Sequence, residues 1–150
     1  MNYVVRRADL GDLGQLVEFT ISEAREAEGV SKEPEKAREG IRAALEDESF
    51  ALYWVVQSED NEILGNVSVI KEWSNWSAGY FWWIQSMFIK PEYRGRGLLE
   101  MLIQTVRESA RQSNALEVRL YVHKDNARAI RAYFKSGFVD SDYRIMRMDI

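Results

Sequence analysis

The segment from residue 80 to residue 122 changes its periodicity twice, and this restricts the fold more than any other feature of the chain. Residues 80–89 are rich in β-branched and aromatic side chains, which favour a strand. Residues 97–113 carry apolar side chains at helical spacing, and residues 116–122 return to a strand pattern. A strand, a helix and a second strand in this order predict a parallel β-α-β unit.

The chain before this unit predicts two helices and three strands. Residues 3–7 are typical of a short strand, and residues 50–57 and 63–71 of a hairpin. Asp9 is suited to cap a first helix with apolar positions at Leu13, Leu16, Val17, Ile21 and Ala24, and Pro34 suits the start of a second helix.

The chain after this unit predicts a helix at residues 126–136 and strands around Phe138 and at residues 144–148. The complete pattern predicts a mixed α/β fold in which helices flank a central, mostly antiparallel sheet.

Length and composition limit the domain organisation and the chemistry. A chain of 150 residues with 46% hydrophobic residues is expected to form one domain over residues 1–150. It has no cysteine, which excludes disulfides, thiolate metal sites and a cysteine nucleophile. There is no apolar run of signal-peptide or membrane-span length, so we expect a cytoplasmic protein with no membrane partner.

The net charge of −4 is unevenly distributed along the chain. Residues 1–75 contain 8 basic and 16 acidic residues, whereas residues 76–150 contain 12 basic and 8 acidic residues. If these charges line one cleft, the second half favours an anionic ligand and the first half a cationic one. Solvated surface charge explains the asymmetry equally well. The overall acidity and the lack of a basic run argue against nucleic acid as a partner.

The junction between the predicted strand at residues 80–89 and its crossover helix has the composition of a phosphate-binding loop. Gly95 and Gly97 allow the backbone to turn and approach a ligand, and the free N–H groups of a helix start follow them. Arg94 and Arg96 add positive charge to that of the helix N-terminus. A purely structural turn would show the same Arg-Gly-Arg-Gly run. Neither a P-loop nor a dinucleotide-binding motif is present.

This loop resembles that of the GNAT superfamily of acyl-CoA-dependent N-acetyltransferases, which reads Arg/Gln-x-x-Gly-x-Gly/Ala. The pattern falls on Arg94, Gly97 and Leu99, and it departs from the family at Leu99, where glycine or alanine is usual. A second family signature is matched downstream, at the same order and a similar distance. It consists of Asn126, Ala129, Tyr133, Gly137 and Phe138.

The resemblance implies an enzyme that uses acetyl-CoA as co-substrate, needs no metal, and transfers acetyl to the primary amine of a small molecule or amino-acid-like acceptor. It also allows a homodimer. Since no cysteine is available, we expect direct transfer. The resemblance further implies which residues contact the cofactor. These are Met87, Phe88 and Ile89 along the pantetheine arm, Arg94, Gly95, Arg96, Gly97, Leu98 and Leu99 around the pyrophosphate, and Asn126 and Tyr133.

Tyr133 is the residue that the resemblance assigns as the acid for the departing thiolate. A phenol with a reference pKa of about 10 can protonate a thiolate whose conjugate acid has a pKa of about 8.5. Spacing alone favours a core aromatic on the helix face shared with Ala129, Ile130 and Gly137. Asn126 has two compatible roles, as a helix cap and as a cofactor contact.

The base that removes a proton from the amine is left open by the sequence. Gln85 and Ser86 stand where some family members have a glutamate, and neither is a useful base. An ordered water is one alternative, and the side-chain candidates are Glu23, Glu26, Glu72, Tyr80 and His123. The lone His123 is more typical of a surface residue beyond a strand.

Aromatic residues cluster between residues 73 and 83 and are candidates for an acceptor pocket. Strand alternation places Trp82 and Trp83 on opposite faces, so one of them is expected in the core. Trp73, Trp76 and Tyr80 could wall a site for a cationic amine, although sheet packing explains the cluster as well.

Two other functions compete with the enzyme. The first is an acyl-CoA sensor of the same fold without turnover, which the lack of a carboxylate at Gln85 and the presence of Leu99 would suit. The second is a small RNA-binding domain that uses the Arg-Gly-Arg-Gly run, and its binding would weaken steeply with salt.

Overall fold

The computed structural model describes residues 2–150, and within them the chain forms five strands and four α-helices. In chain order these are β1 (Val4–Arg7), α1 (Leu13–Glu28), α2 (Pro34–Glu46), β2 (Leu52–Gln57), β3 (Ile63–Ser74), β4 (Gly79–Ile89), α3 (Leu98–Gln112), β5 (Glu117–Leu120) and α4 (Ala127–Lys135). Short 3-10 turns precede α1 and α3, at Leu10–Asp12 and Pro91–Tyr93.

The five strands form one sheet in the order β1-β2-β3-β4-β5. Neighbouring strands are antiparallel except β4 and β5, which are parallel and are connected through α3. The predicted fold class and the predicted β-α-β unit are therefore confirmed.

Helices cover both faces of the sheet, and each face has its own apolar core. On one face, α3 packs through Leu102, Ile103 and Val106 against buried side chains of the sheet such as Val67 and Trp82. On the other face, α1 and α2 pack against Ala51, Tyr53 and Val55 through Leu13, Leu16, Val17, Ile41 and Ala44. The helical positions follow the spacing read from the sequence, because each helix buries one stripe.

A β-bulge interrupts β4 in its middle. Ser68 of β3 pairs with Ser86 and Val69 pairs with Ile84, so Gln85 is an extra residue in β4. Ile84 and Met87 consequently face the same core, although they are three positions apart and a regular strand would place them on opposite faces. The pairing of β4 with β5 ends at Ile84, directly before the bulge. Because a bulge bends its strand, the remainder of β4 is free to leave β5.

Asp9 caps the 3-10 turn before α1 instead of α1 itself. Its carboxylate accepts from the Gly11 N–H at 2.9 Å, and the Asp12 carboxylate accepts from the Asp9 N–H at 2.9 Å. Pro34 occupies the first turn of α2, as predicted, where its missing N–H leaves no helix bond unmade.

The strands predicted around Phe138 and at residues 144–148 are not formed, and this expectation is wrong. Residues 138–150 have no regular secondary structure, and Tyr143, Ile145, Met146 and Met148 are exposed. An open groove of about 1410 Å³ lies between β5 and residues 138–145, which both line it. β5 is the outermost strand of the sheet, so residues 138–145 lie across the groove from its edge instead of pairing with it. An alternating pattern alone does not make a strand, because a strand needs direct hydrogen bonds to a neighbouring edge.

Candidate active site

A gap between β4 and β5 is the centre of the candidate site. The parallel pairing joins Phe81 to Ile84 with Glu117 to Leu120, and β4 continues past this point to Ile89. The N–H of Met87 points into the gap, because it donates to Glu23 Oε2 on α1 at 2.9 Å. A residue's N–H and C=O leave a strand on the same side, so the Met87 carbonyl faces the gap as well.

The three residues predicted to follow the pantetheine arm, Met87, Phe88 and Ile89, form this free part of β4. All three side chains are buried. The Phe88 ring packs against Phe19 of α1 with the ring centroids 5.3 Å apart. Met87 and Ile89 thus anchor the strand in the core on the α3 face and Phe88 anchors it on α1, which leaves main-chain groups as its contribution to the gap.

The predicted phosphate loop lies between the 3-10 turn and α3, at the end of β4. Gly95 and Gly97 have φ angles of 79° and 82°, which favour glycine. Among the described residues no heavy atom lies within 4 Å of the position that a Cβ would take on either glycine. The space beside both residues is therefore open to a ligand, and the first N–H groups of α3 lie next to it without intrahelical partners.

Leu98 and Leu99 turn towards the core instead of the loop. Leu98 is 1% exposed, and Leu99 packs against the core on the α3 face of the sheet. The larger side chain at Leu99, which departs from the usual family pattern, is accommodated in this way.

The two arginines of the loop have different surroundings. Arg94 donates through Nε to the Ile89 carbonyl oxygen at 2.9 Å and through Nη2 to Glu26 Oε2 at 3.1 Å, and its ion pair with Glu26 brings Nη2 within 2.8 Å of Oε1. The Arg96 guanidinium lies over the Tyr93 ring, 4.9 Å from its centroid, and its residue is exposed. Arg94 therefore ties the loop to β4 and α1, while Arg96 is the arginine at the surface.

Tyr133 lies on α4, and its side chain is half-buried against the core on the α3 face of the sheet. Its ring meets the Phe138 ring edge-on at 5.9 Å. Burial raises the pKa of Tyr133 to about 12, and the negative charge of Glu23 adds to the effect. The phenol is consequently protonated at neutral pH, and it lies near enough to Glu23 for the charge of that carboxylate to act on it.

Asn126 caps α4, since its Oδ1 accepts from the Ala129 N–H at 3.3 Å. His123 lies in the preceding loop, where its Nδ1 accepts from the Asp125 N–H at 3.2 Å. The surface interpretation of His123 therefore agrees with its position.

Glu23 is the carboxylate that the fold brings into the gap. Burial raises its pKa to about 7; the hydrogen bond from the Met87 N–H opposes this effect, and the nearby charge of Glu28 adds to it. The sequence named Glu23 only as one of several candidates. The one signal in the sequence was the helical spacing of Glu23 from Phe19, which places both on one face of α1. The hydrogen-bond partner Met87 could not be predicted, because it is 64 residues away in the chain.

The other candidate bases are placed differently. Glu26, one turn from Glu23, pairs with Arg94 and also lies 3.6 Å from Nη2 of Arg128 on α4. Glu72 accepts from Trp83 Nε1 at 3.3 Å on the far part of the β3-β4 hairpin, and Tyr80 is 45% exposed at its tip.

The aromatic cluster does not form a single pocket. Trp82 is 2% exposed in the core, as expected for one member of the Trp82-Trp83 pair. Trp83 stacks on Tyr121 at 4.6 Å. Trp73 and Trp76 project from the hairpin tip, where Trp76 is 88% exposed.

The comparisons with known proteins agree with this geometry. Residues 16–138 match the family model described as the acetyltransferase (GNAT) family. The chain belongs to the GNAT acetyltransferase family. The resemblance drawn from the loop and from the Asn126 signature is thereby confirmed.

Two curated relatives of this GNAT protein are enzymes that acetylate amines. The thialysine N-epsilon-acetyltransferase of Bos taurus is 28% identical over 145 residues, covering 91% of this chain and 84% of the relative. The spermidine N(1)-acetyltransferase of Thermoplasma acidophilum is 32% identical over 56 residues, covering 37% of this chain and 35% of the relative.

Solved structures show the same fold over nearly the whole chain. A possible acetyltransferase from Clostridium difficile 630 superposes with a TM-score of 0.91 at 28% identity, covering 100% of this chain and 99% of that one. A predicted acetyltransferase with acetyl-CoA from Clostridium acetobutylicum gives a TM-score of 0.81 at 18% identity, covering 98% and 96%. The latter similarity supports the fold alone.

Residues 2–150 contain neither a metal-binding cluster nor a membrane-spanning helix. No group of three or more histidine, aspartate or glutamate side chains in this part of the chain is arranged to hold a metal ion. None of the helices formed by these residues is long and apolar enough to cross a membrane.

Proposed function

We propose that this GNAT protein transfers an acetyl group from acetyl-CoA directly to the primary amine of a small molecule or amino-acid-like acceptor. The observation that carries the proposal is the gap between β4 and β5, where the Met87 N–H meets Glu23 beside an open glycine loop and the charge of Glu23 acts on the nearby Tyr133. The names of two relatives, with thialysine and spermidine as acceptors, support a small amine.

The residues present fit the parts of acetyl-CoA. The open positions at Gly95 and Gly97 and the free N–H groups at the start of α3 would hold the pyrophosphate, with Arg96 nearby. Main-chain groups on the gap side of β4 between Met87 and Ile89 would pair with the amides of the pantetheine arm. Asn126 would contribute from the start of α4.

The side chains of the gap supply what acetyl transfer requires. The Met87 N–H can stabilise the negative charge that develops on the thioester oxygen. Tyr133 is held as a neutral phenol and can donate its proton to the leaving thiolate. Because the chain has no cysteine, no cysteine-bound acetyl stage is available and the amine attacks the thioester directly.

The binding half of the proposal is tested by isothermal titration of the protein with acetyl-CoA. We expect Gly97→Val to abolish measurable binding, because a β-branched residue is strained at a φ of 82° and fills the open space of the loop. Gly29→Val is the matched control. Gly29 has a φ of 67° and an equally open Cβ position, but it lies at the end of α1.

The catalytic half is tested by thiol release from acetyl-CoA with a panel of amines that includes thialysine and spermidine. Release that depends on the amine supports the enzyme. Tight binding without release from any amine would instead support a sensor. If the parent protein does not bind acetyl-CoA, and binds RNA in a salt-dependent manner, both acyl-CoA functions are wrong.

Three expectations from the sequence remain predictions. They are a single GNAT-like domain over residues 1–150, a homodimer and a cytoplasmic location. Analytical ultracentrifugation would test the homodimer, and localisation of a tagged chain would test the cytoplasmic location.

A further inference from the structure

The sequence leaves the proposed enzyme without an obvious base, since Gln85 and Ser86 stand on β4 where a carboxylate would be useful. Gln85 is the exposed residue of the bulge, and the Ser86 hydroxyl is hydrogen-bonded to that of Ser68 at 2.7 Å. Neither group can accept a proton from an ammonium ion at neutral pH. A base, if it is a side chain, must come from another element.

We propose that Glu23 of α1 is the general base of this site, and that it is released for this task when the thioester carbonyl replaces it at the Met87 N–H. The inference rests on the proposed function. It assigns to Glu23 both a resting position on β4 and a role in the reaction.

Three contacts of α1 fix the position of Glu23 in the gap. The Phe19 ring lies against Phe88 of β4, one turn before Glu23. One turn after it, Glu26 binds Arg94 of the loop at 2.8 Å and lies 3.6 Å from Arg128 of α4. Glu23 is thus held between the strand, the phosphate loop and the helix that carries Tyr133.

The carboxylate of Glu23 is not neutralised by a cation in the part of the chain described. The two guanidinium groups that reach this region, those of Arg94 and Arg128, are taken by Glu26. The hydrogen bond that Glu23 receives comes from a neutral main-chain group, the Met87 N–H at 2.9 Å. A carboxylate in this position keeps its capacity to accept a proton.

Three ionisable groups interact electrostatically with Glu23: Glu28 on the same helix, Tyr53 on β2 and Tyr133 on α4. The negative charge of Glu28 disfavours that of Glu23, whereas the two phenols are neutral and the charge of Glu23 raises their pKa values. Together with burial, which is the largest cause, Glu28 brings the pKa of Glu23 to about 7. Relative to an ordinary glutamate at 4.5, proton transfer from an amine of pKa about 10.4 becomes roughly 300-fold less unfavourable.

The Met87 N–H cannot serve Glu23 and the thioester oxygen fully at the same time. Its hydrogen bond to Glu23 is the contribution that lowers the pKa of this carboxyl group. When the thioester oxygen accepts the N–H instead, that contribution is lost and the proton affinity of Glu23 increases further. Occupation of the cofactor site therefore prepares the base.

The proton balance of the reaction closes with Glu23 and Tyr133. Glu23 accepts one proton from the ammonium group and later passes it to water. The neutral nitrogen forms its bond to the acetyl carbon while the Met87 N–H holds the oxygen, and the C–S bond then breaks. Tyr133 protonates the leaving thiolate, and the second proton of the nitrogen restores the phenol. The products are the amide, the free thiol and one proton in water.

The test compares Glu23→Gln with the parent protein in thiol release, using the amine from the panel that supports the fastest release. Glutamine keeps an oxygen that can accept from the Met87 N–H, but it cannot take a proton. We expect kcat to fall about 100-fold or more, with little change in acetyl-CoA affinity by titration. Glu18→Gln is the control, because it removes an exposed carboxylate from the same helix.

The pH profile provides a readout that a structural role would not change. Since the base must be deprotonated, kcat/KM of the parent should rise with pH through about 7, and this acid limb should disappear in Glu23→Gln. The loss of kcat in Glu23→Gln should also become much smaller with an amine that is already neutral at pH 7, such as trifluoroethylamine. Glu23→Asp, which keeps a carboxylate, should retain the limb and part of the rate.

The outcomes separate this inference from the proposed function. If the parent releases thiol and Glu23→Gln keeps its rate and its acid limb, Glu23 is not the base, although the enzyme stands. If the parent binds acetyl-CoA and acetylates no amine, both are overturned. If Glu23→Gln does not fold, the test uses Glu23→Asp instead. A pH profile of kcat/KM without the acid limb in Glu23→Asp would then overturn Glu23 as the base.

Discussion

At the scale of single residues, burial determines the pKa values of the two ionisable groups that we propose for catalysis. Tyr133 and Glu23 both have raised pKa values, of about 12 and about 7, with burial as the largest cause. The two shifts have different consequences for protonation at neutral pH. The phenol keeps its proton at neutral pH but becomes a weaker acid, whereas the pKa of the carboxylate moves close to neutral pH.

Replacement of the phenol tests the first role. Tyr133→Phe removes the proton donor and keeps the ring that packs against Phe138, so we expect kcat to fall about 100-fold with acetyl-CoA affinity nearly unchanged. Thiol release and titration measure the two effects. Phe134→Leu, an exposed neighbour on the same helix, is the control. Equal losses of binding and turnover in Tyr133→Phe would contradict a role as acid.

A second prediction at this scale concerns stability. Asp12 is 6% exposed and receives two hydrogen bonds of 2.9 Å from Arg6. Burial alone would raise the pKa of Asp12, but the bonds from Arg6 and from the Asp9 N–H, with the charge of Arg6, lower it overall. Asp12→Asn should therefore reduce the free energy of unfolding by about 2–3 kcal/mol in urea at pH 7.

The pH dependence of this contribution has a definite sign. Because the pKa is lowered on folding, the stabilisation is complete above the unfolded value of 3.8 and is lost as the pH falls below it. The difference between the parent and Asp12→Asn should narrow in that acid range. The exposed pair of Arg7 and Glu48 provides the control, and Glu48→Gln should change stability by less than about 1 kcal/mol.

At the scale of secondary-structure elements, the site depends on how closely β3 and β4 approach before β4 leaves β5. Gly65 of β3 pairs with Ile89 of β4, and a Cβ on Gly65 would overlap the Phe88 carbonyl oxygen and the Ile89 side chain. The absence of a side chain there lets the free part of β4 lie close to β3. The position of the main-chain groups in the gap follows from this contact.

Gly65→Ala is accordingly expected to displace the end of β4. We predict a loss of about 1–3 kcal/mol in the free energy of unfolding, together with weaker acetyl-CoA binding, because overpacking moves the residues that face the cofactor. Urea denaturation and titration give the two quantities. Gly14→Ala in α1 has open space at its Cβ and should be neutral or stabilising. Unchanged binding in a destabilised Gly65→Ala would show that this part of β4 is not a cofactor contact.

At the scale of the whole molecule, a ligand that binds between α1, β4, α3 and α4 joins elements from both halves of the chain. The ion pairs of Glu26 with Arg94 and Arg128 already connect these elements across the gap. The acidic first half and the basic second half therefore meet at the site, as one interpretation of the charge asymmetry requires. Binding at such a place stabilises the complete fold by mass action.

Thermal unfolding measures this stabilisation. At acetyl-CoA concentrations about 100-fold above Kd, the fold should gain about 2.7 kcal/mol. For a chain of this length the midpoint should then rise by about 5–10 °C. The shift should be absent in Gly97→Val and present in Gly29→Val. A shift of equal size in both variants would place the ligand elsewhere.

Local rules determined much of the fold and of the loop. The helix positions, Pro34 at the start of α2 and the β-α-β unit follow from spacing and from the conformational limits of single residues. The positive φ angles at Gly95 and Gly97 likewise follow from the residue type that such a turn needs. These features could be predicted because each depends on neighbours in the sequence.

Only the tertiary structure decided the rest, because it depends on contacts between distant residues. The bulge at Gln85 arises from the register of β3 against β4, and the segment beyond Phe138 forms no strand because a groove separates it from the edge of β5. Glu23 meets Met87 across 64 residues of chain. The sequence by itself supplied a carboxylate and a strand, and the burial that gives the carboxylate its chemistry exists only once α1 packs on β4.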